Sequence, residues 1–310
     1  YNGSNPDLNP IWSVSEGKLE IKSFDGNDLQ IQDIIDAVYE IVFISSNPSP
    51  SDKSFSFTIG DANYLPSNGH FYVYFSAPGI NWPLARDNAE ESYYYGLQGY
   101  LATILSEEEN QIAAVQINDV GWIGASDADN EDDWRWVTGP EGLLNNGEGL
   151  PFWLGEGTNL GGAPVNGQYS NWNGVVEPND SGNDPPGEDY AHVTSPDVGD
   201  VGTWNDLDFD GSSNSLSAYY PQGYIVEYGG MPGDPELNLS SSTSLSAPPT
   251  VVIEPFFGVD CVLISLDASS DEGDGSVYWF ESETGGESIY YGTSFEPGAL
   301  EAGNYSYWVS

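Results

Sequence analysis

Glu177-Pro178-Asn179-Asp180, Glu188-Asp189 and Trp204-Asn205-Asp206 concentrate carboxylates and amides in a long Gly-, Asn-, Asp- and Trp-rich run with only brief strand patterns. So long an irregular stretch ordinarily needs a disulfide or a metal to stay ordered. The 310-residue chain has one cysteine, Cys261, far downstream. A single thiol makes no internal bridge, so metal is the favoured staple. Clustered Asp and Glu are hard oxygen ligands that favour Ca²⁺.

The same bias runs through the whole chain, where 49 Asp+Glu against 5 Lys+Arg give a formal charge of −44. With no basic face to neutralise phosphates, nucleic-acid binding is argued against, as is a cationic membrane-surface anchor. Carboxylates in such excess repel one another and disfavour a compact state unless salt or bound cations screen them. That points to an extracellular, cell-surface or marine setting, with an acidic halophile-type cytosol as the rival. No apolar run approaches the ~20 residues of a membrane helix, so membrane insertion is not expected, and no signal peptide is read. Hydrophobic residues at 38% and aromatics at 14% suffice for packed cores. The 37 Gly and 21 Pro predict a mainly β, loop-rich protein.

Working outward, four segments are read. Residues 1–62 are expected to be a partial, cadherin-like β-sandwich module, with strands over 18–22, 40–44 and 54–59. A short helix over 31–39 is expected from the spacing of Ile31, Ile34, Ile35 and Val38. Residues 63–230 form a central α+β domain with strands at 71–75 and 223–228 and a helix over 82–95. A second helix starts at Ser106, where Glu109 three residues on makes a capping-box signature. Residues 231–249 are a Pro-, Ser- and Gly-rich linker. Residues 250–310 are a truncated immunoglobulin-like module, with strands at 251–253, 262–266, 277–280 and 305–309. The chain is expected to be a fragment of a longer multidomain polypeptide.

With Trp122-Ile123-Gly124, Leu101-Ala102-Thr103-Ile104 and Trp136-Val137-Thr138-Gly139 added, residues 69–228 resemble a C-type lectin-like domain. The resemblance implies that Glu177, Asn179, Glu188, Asn205 and Asp206 are ligands of a Ca²⁺ ion that binds sugar. Three carboxylates and two amide carbonyls suit its seven- or eight-oxygen shell. It implies a second, structural ion on Asp127, Glu131, Asp180, Glu188 and Asp189, with Glu188 placed to bridge the two. Glu177, Asn179, Glu188 and Asn205 would also hydrogen-bond the sugar, the carboxylates accepting and the amides donating. The Glu-Pro-Asn order implies glycans with vicinal equatorial hydroxyls, of the mannose, glucose or fucose type, and Pro178 is expected to follow a cis bond.

Two departures stand out. The family's framework cysteines are missing, Tyr190 and Val226 standing at two of their places, a pattern of bacterial members. Residues 142–169 are longer than usual and carry Phe152, Trp153, Leu154 and Tyr169 as candidates for stacking on sugar rings. Trp122, Trp136 and Trp204 are read as core, and His70 and His192 as structural. The middle and third segments together resemble large secreted adhesins of the Bacteroidetes type, with neighbouring adhesin modules or a fibre as possible partners. The rivals are a calcium-stiffened structural or protein-binding fibre segment and a glycan hydrolase. No nucleophile–base arrangement supports the last, so an enzyme is not expected.

Overall fold

The computed structural model describes residues 5–14, 17–26, 29–42, 53–115, 120–181, 187–245, 251–253, 266–270, 277–282, 287–297 and 306–309. The architecture is mainly β. The chain divides into two compact units, one from 1–43 and 55–243, the other from 44–54 and 244–310.

In the first unit β1 (Leu8–Ser13) and β2 (Lys18–Ser23) form an antiparallel hairpin, and α1 occupies Ile31–Tyr39, the span its apolar spacing predicts. The strand expected over 40–44 is corrected for residues 40–42, and 43–44 lie outside the described residues. Glu40 and Ile41 donate their N–H groups to Ala37 and Val38 carbonyls, so these peptides finish the helix rather than enter a ladder. The alternating stretch near Phe55 forms β3 (Lys53–Thr58), which pairs with β15 (Ser240–Leu245).

A large sheet organises the rest of this unit. Its centre is β14 (Gly223–Tyr228), antiparallel to β5 (His70–Ser76), from Gly223 opposite Ser76 to Tyr228 opposite Phe71. Beyond β5 lies β4 (Asn63–Leu65). The other edge of β14 meets β7 (Leu97–Leu101) and, in parallel, β8 (Trp122–Ser126). From β8 the sheet continues to β9 (Asp133–Trp136), β10 (Leu150–Leu154) and β11 (Ala163–Pro164). Every residue of β14 is buried because both faces are covered. Its period-2 alternation sends Ile225 into one apolar cluster and Tyr224, Val226 and Tyr228 into the other.

Two of the helices that lie on this frame position the site. Helix α2 (Trp82–Glu90) is capped by Asn81, whose side-chain oxygen accepts from Leu84 N–H at 2.9 Å. It buries Ala85 and Ala89 and stops short of residue 95. Tyr95 and Gly96 both have positive φ (48° and 92°), closing a tight hairpin between β6 (Tyr93–Tyr94) and β7. Helix α3 (Glu107–Asn110) starts at Ser106 as expected, with Ser106 Oγ accepting from Glu109 N–H at 3.1 Å. A single π-helical turn, Gln111–Val115, extends it.

Among the described residues the second unit holds two antiparallel three-stranded sheets. β17 (Leu266–Ser270) runs between β16 (Val251–Ile253) and β20 (Ser294–Phe295), and β18 (Tyr278–Phe280) between β19 (Tyr290–Tyr291) and β21 (Trp308–Val309). Ala268, Val277, Trp279 and Phe295 form the apolar cluster of this unit. Cys261 and most of the strand expected over 262–266 lie outside the described residues.

Candidate functional site

The site is built on a hairpin of β12 (Tyr190–Val193) and β13 (Trp204–Leu207), in register from Tyr190 opposite Leu207 to Val193 opposite Trp204. Trp204 anchors it. The indole is fully buried and its Nε1 donates to Asn110 Oδ1 at 2.9 Å, so Asn205 and Asp206 follow from a fixed point. The backbone of 171–173 runs beside β13, exchanging Trp204 N–H to Asn171 O and Asn173 N–H to Trp204 O, each at 2.8 Å. This carries the chain over the hairpin towards Glu177.

Asp206 then pins the turn that follows. Its Oδ2 accepts from the backbone N–H of Asn179 at 2.9 Å and of Asp180 at 2.8 Å. The Glu177–Pro178 peptide is cis, as expected. The Asn179 side-chain amide donates to Glu177 Oε2. Glu188 accepts from Ser181 N–H at 2.9 Å and donates its own N–H to Asp180 Oδ1 at 3.0 Å. Glu177, Asn179, Glu188 and Asn205 thereby line one open cavity of about 340 Å³, and Asp206 interacts with Glu177 from behind. Asn179 and Asn205, 26 positions apart in sequence, share this cavity.

The second predicted set gathers next to the first. Asp127 donates its N–H to Asp189 O at 3.3 Å and accepts from Asp132 N–H at 3.1 Å. Asp127, Glu131, Asp180 and Asp189 form one field of mutual repulsion that also reaches Asp206. Burial, followed by Asp206 and Glu188, pushes Glu177 up to about 8. Burial and Asp206 push Glu188 up to about 7. Burial, Glu131 and Asp189 push Asp127 up to about 8.

Whether this donor set suits a cation is tested by its unmet oxygens. Asp206 Oδ1 and Asp127 Oδ1 are both buried and accept no hydrogen bond, although their partner oxygens do. A buried ionised oxygen without a donor is costly, and nearby N–H groups already serve the other oxygens. Carboxylates with amide carbonyls are the oxygen donors Ca²⁺ takes, and the set contains neither thiolate nor imidazole. The residues fit. His192 is no part of it: burial drives it down to about 4, and its Nδ1 faces Asn205 O at 3.3 Å.

Some expected site residues go elsewhere. Phe152 and Trp153 are buried, so they do not stack on a ligand. Phe152 stacks on Trp136 with centroids 4.7 Å apart and Trp153 joins the same core, because β10 is an internal strand between β9 and β11. Tyr169 packs edge-on against Trp204, and Leu154 is exposed. Two features went unread. One is the part of the cavity lining given by Ser212 and Tyr219, beside Asp208 and Ser217, whose run from Asp206 resembles in sequence the start of an EF-hand loop with Ser217 in place of the closing Glu. The other is a buried network in which Tyr72 Oη donates to Glu109 at 2.5 Å beside Glu227, itself 2.5 Å from His70 Nδ1. The spacing of Tyr72 and His70 along one strand was its only signal.

No protein-family model matches the chain. A stretch of 93 residues, 29% of this chain, is 37% identical to C-type lectin domain family 4 member F of Mus musculus, and covers 15% of that protein. This likeness supports a lectin-like domain. A stretch of 178 residues, 57% of this chain, is 37% identical to halomucin of Haloquadratum walsbyi and covers 2% of it. The chain therefore spans a small part of the curated relatives it matches. Among the described residues no helix is long and apolar enough to cross a membrane.

Proposed function

We propose that this chain carries a calcium-dependent carbohydrate-binding domain of an extracellular, cell-surface adhesin, acting by binding and not by catalysis. The carrying observation is the convergence of Glu177, Asn179, Glu188 and Asn205 on one open cavity, with a buried, half-satisfied Asp206 behind it. These five residues would hold one Ca²⁺, and Asp127, Glu131, Asp180, Glu188 and Asp189 a second that fixes the loop. The bound ion supplies open oxygen-coordination positions for a pair of sugar hydroxyls. The chain's own contribution is orientation: carboxylates of Glu177 and Glu188 accept from those hydroxyls, and amides of Asn179 and Asn205 donate to them. The Glu177-Pro178-Asn179 order favours vicinal equatorial hydroxyls, as in mannose, glucose or fucose.

The surface assignment draws support from the relatives. One is named as a C-type lectin domain protein, and the other is so long that 178 residues make up 2% of it, which suits a module in a giant polypeptide. The long relative comes from Haloquadratum, and neither relative supports a Bacteroidetes-type parent. A charge of −44 suits surroundings rich in salt and calcium.

A glycan array read with calcium and with EGTA tests this. Chelator-sensitive binding to mannose-, glucose- or fucose-type glycans is the expected result. The pair Glu177→Gln and Asn179→Asp should move preference towards galactose. If calcium raises the melting temperature but no glycan binds, the ions serve only to stiffen a fibre segment.

A further inference from the structure

We infer that the cavity reads two linked sugar residues, the second held by residues 208–219, and that this second residue is uncharged. This rests on the function proposed above. The cavity extends beyond the ion-facing side chains to Asp208, Ser212, Ser217 and Tyr219, with the buried Leu207 at its base. The segment carrying these groups is fixed by its own hydrogen bonds. Gly211 N–H donates to Asp208 O and Ser212 N–H to Tyr219 O, each at 2.9 Å, and Ser217 Oγ accepts from Tyr219 N–H at 3.2 Å. Trp82 N–H ties Phe209 O to the start of α2 at 2.8 Å, joining the segment to the frame.

Tyr219 is 39% exposed, so part of its ring stays open to a ligand. An apolar ring face bordered by hydroxyls matches a pyranose, which pairs C–H faces with hydroxyl edges. A residue whose hydroxyl pair sits among Glu177, Asn179, Glu188 and Asn205 would project its linked neighbour to this wall. Charge adds a second rule. Apart from the Tyr219 phenol, the ionisable groups lining the cavity are Glu177, Glu188 and Asp208, and no Lys or Arg lines it. A bound ion offsets Glu177 and Glu188, which leaves Asp208 as the carboxylate beside the second sugar residue. A uronic acid, sulfate or sialic acid at that second position would meet like charge, which costs affinity most at low salt.

The test titrates the whole chain, in calcium, with methyl mannoside, a mannose disaccharide and the same disaccharide carrying a terminal uronic acid. The neutral disaccharide is expected to bind about 3- to 10-fold more tightly than the monosaccharide. Tyr219→Ala should close that gap and Tyr219→Phe should keep it. Saturation-transfer NMR should reach protons of the second ring in the wild type and lose them in Tyr219→Ala. The uronic-acid form should bind several-fold more weakly than its neutral counterpart, the difference narrowing as salt is added. A disaccharide no tighter than the monosaccharide, or a gap unaffected by Tyr219→Ala, overturns the second residue while leaving the calcium-dependent site intact. An anionic form that binds equally well overturns the charge rule. Failure of every sugar to bind in calcium overturns the proposed function and this inference with it.

Discussion

Two groups of buried acids in this molecule are built on opposite plans. Around Tyr72 each carboxylate has found protein donors. Glu227 accepts from Thr103 N–H at 3.0 Å and faces His70, and Tyr72 Oη, whose single proton goes to the nearer Glu109, lies 3.1 Å away. Glu109 accepts from Tyr72 Oη, from Asn68 at 3.0 Å and from Leu105 N–H at 2.6 Å. Around Asp206 the acids accept backbone N–H groups too, but one oxygen each of Asp206 and Asp127 lies buried without a donor amid further carboxylates. Burial alone therefore does not mark a binding site. What marks it is burial with acceptors left over, a deficit that the protein's own atoms do not fill and a cation would.

The largest effect expected from this contrast is the response to chelation. Two ions at a hundredfold excess over their dissociation constants would contribute about 5 kcal/mol together. Removing calcium should then lower the melting temperature by the order of 10 °C, as differential scanning fluorimetry would record. A smaller effect tests the other plan. Tyr72→Phe deletes the hydroxyl beside Glu109 and Glu227 and should cost about 1–3 kcal/mol. Chemical denaturation should show that loss to be the same with and without calcium. A loss that depends on calcium would erase the distinction between the two groups.

The most discriminating effect is on the pH dependence of the calcium response. Glu177, Asp127 and Glu188 titrate at about 8, 8 and 7 in the metal-free fold, against about 4 in an unfolded chain. Between those limits the folded state holds more protons than the unfolded one. Metal-free stability should therefore rise as pH falls from about 8 towards 4, and decline as pH climbs through 7 to 8. Glu109, raised to about 7 by burial and then by Glu227, contributes with the same sign whether or not calcium is present. The calcium-induced gain isolates the Asp206 group. It should shrink as pH falls below about 8, because protons and calcium compete for the same oxygens. A gain that stays constant from pH 8 to 5 would place the ions elsewhere.

How far the sequence was legible follows the same line. Periodicity and caps are local, so Ile31–Tyr39 and the start at Ser106 were readable from neighbours alone. The end of α2 at Glu90 was not, because no glycine or proline marks it; its last turn is closed by Ser92, whose Oγ donates to Ala89 O at 2.7 Å. The capping box was half right. Glu109 N–H meets Ser106, but its carboxylate serves Leu105 and the Tyr72 network, whose members come from distant strands. That Glu177, Asn179, Glu188 and Asn205 belong together was legible because their types are restrictive and their order fixed, and they line one cavity. Phe152 and Trp153 were not, since whether an aromatic in an irregular stretch points inward depends on β10 lying between two other strands. Residues 212–219 show no period at all, and it is the fold that brings Tyr219 to the same cavity as Glu188.

Calorimetric titration of Ca²⁺ into the wild-type chain and into Asp206→Asn tests the account most directly. The asparagine keeps an acceptor for the N–H groups of Asn179 and Asp180 while removing the charge. Two ions are expected in the wild type and the loss of the cavity ion in the variant. A wild-type chain that takes up no calcium, or a variant that binds it undiminished, would contradict the claim that these acids are gathered to hold a metal.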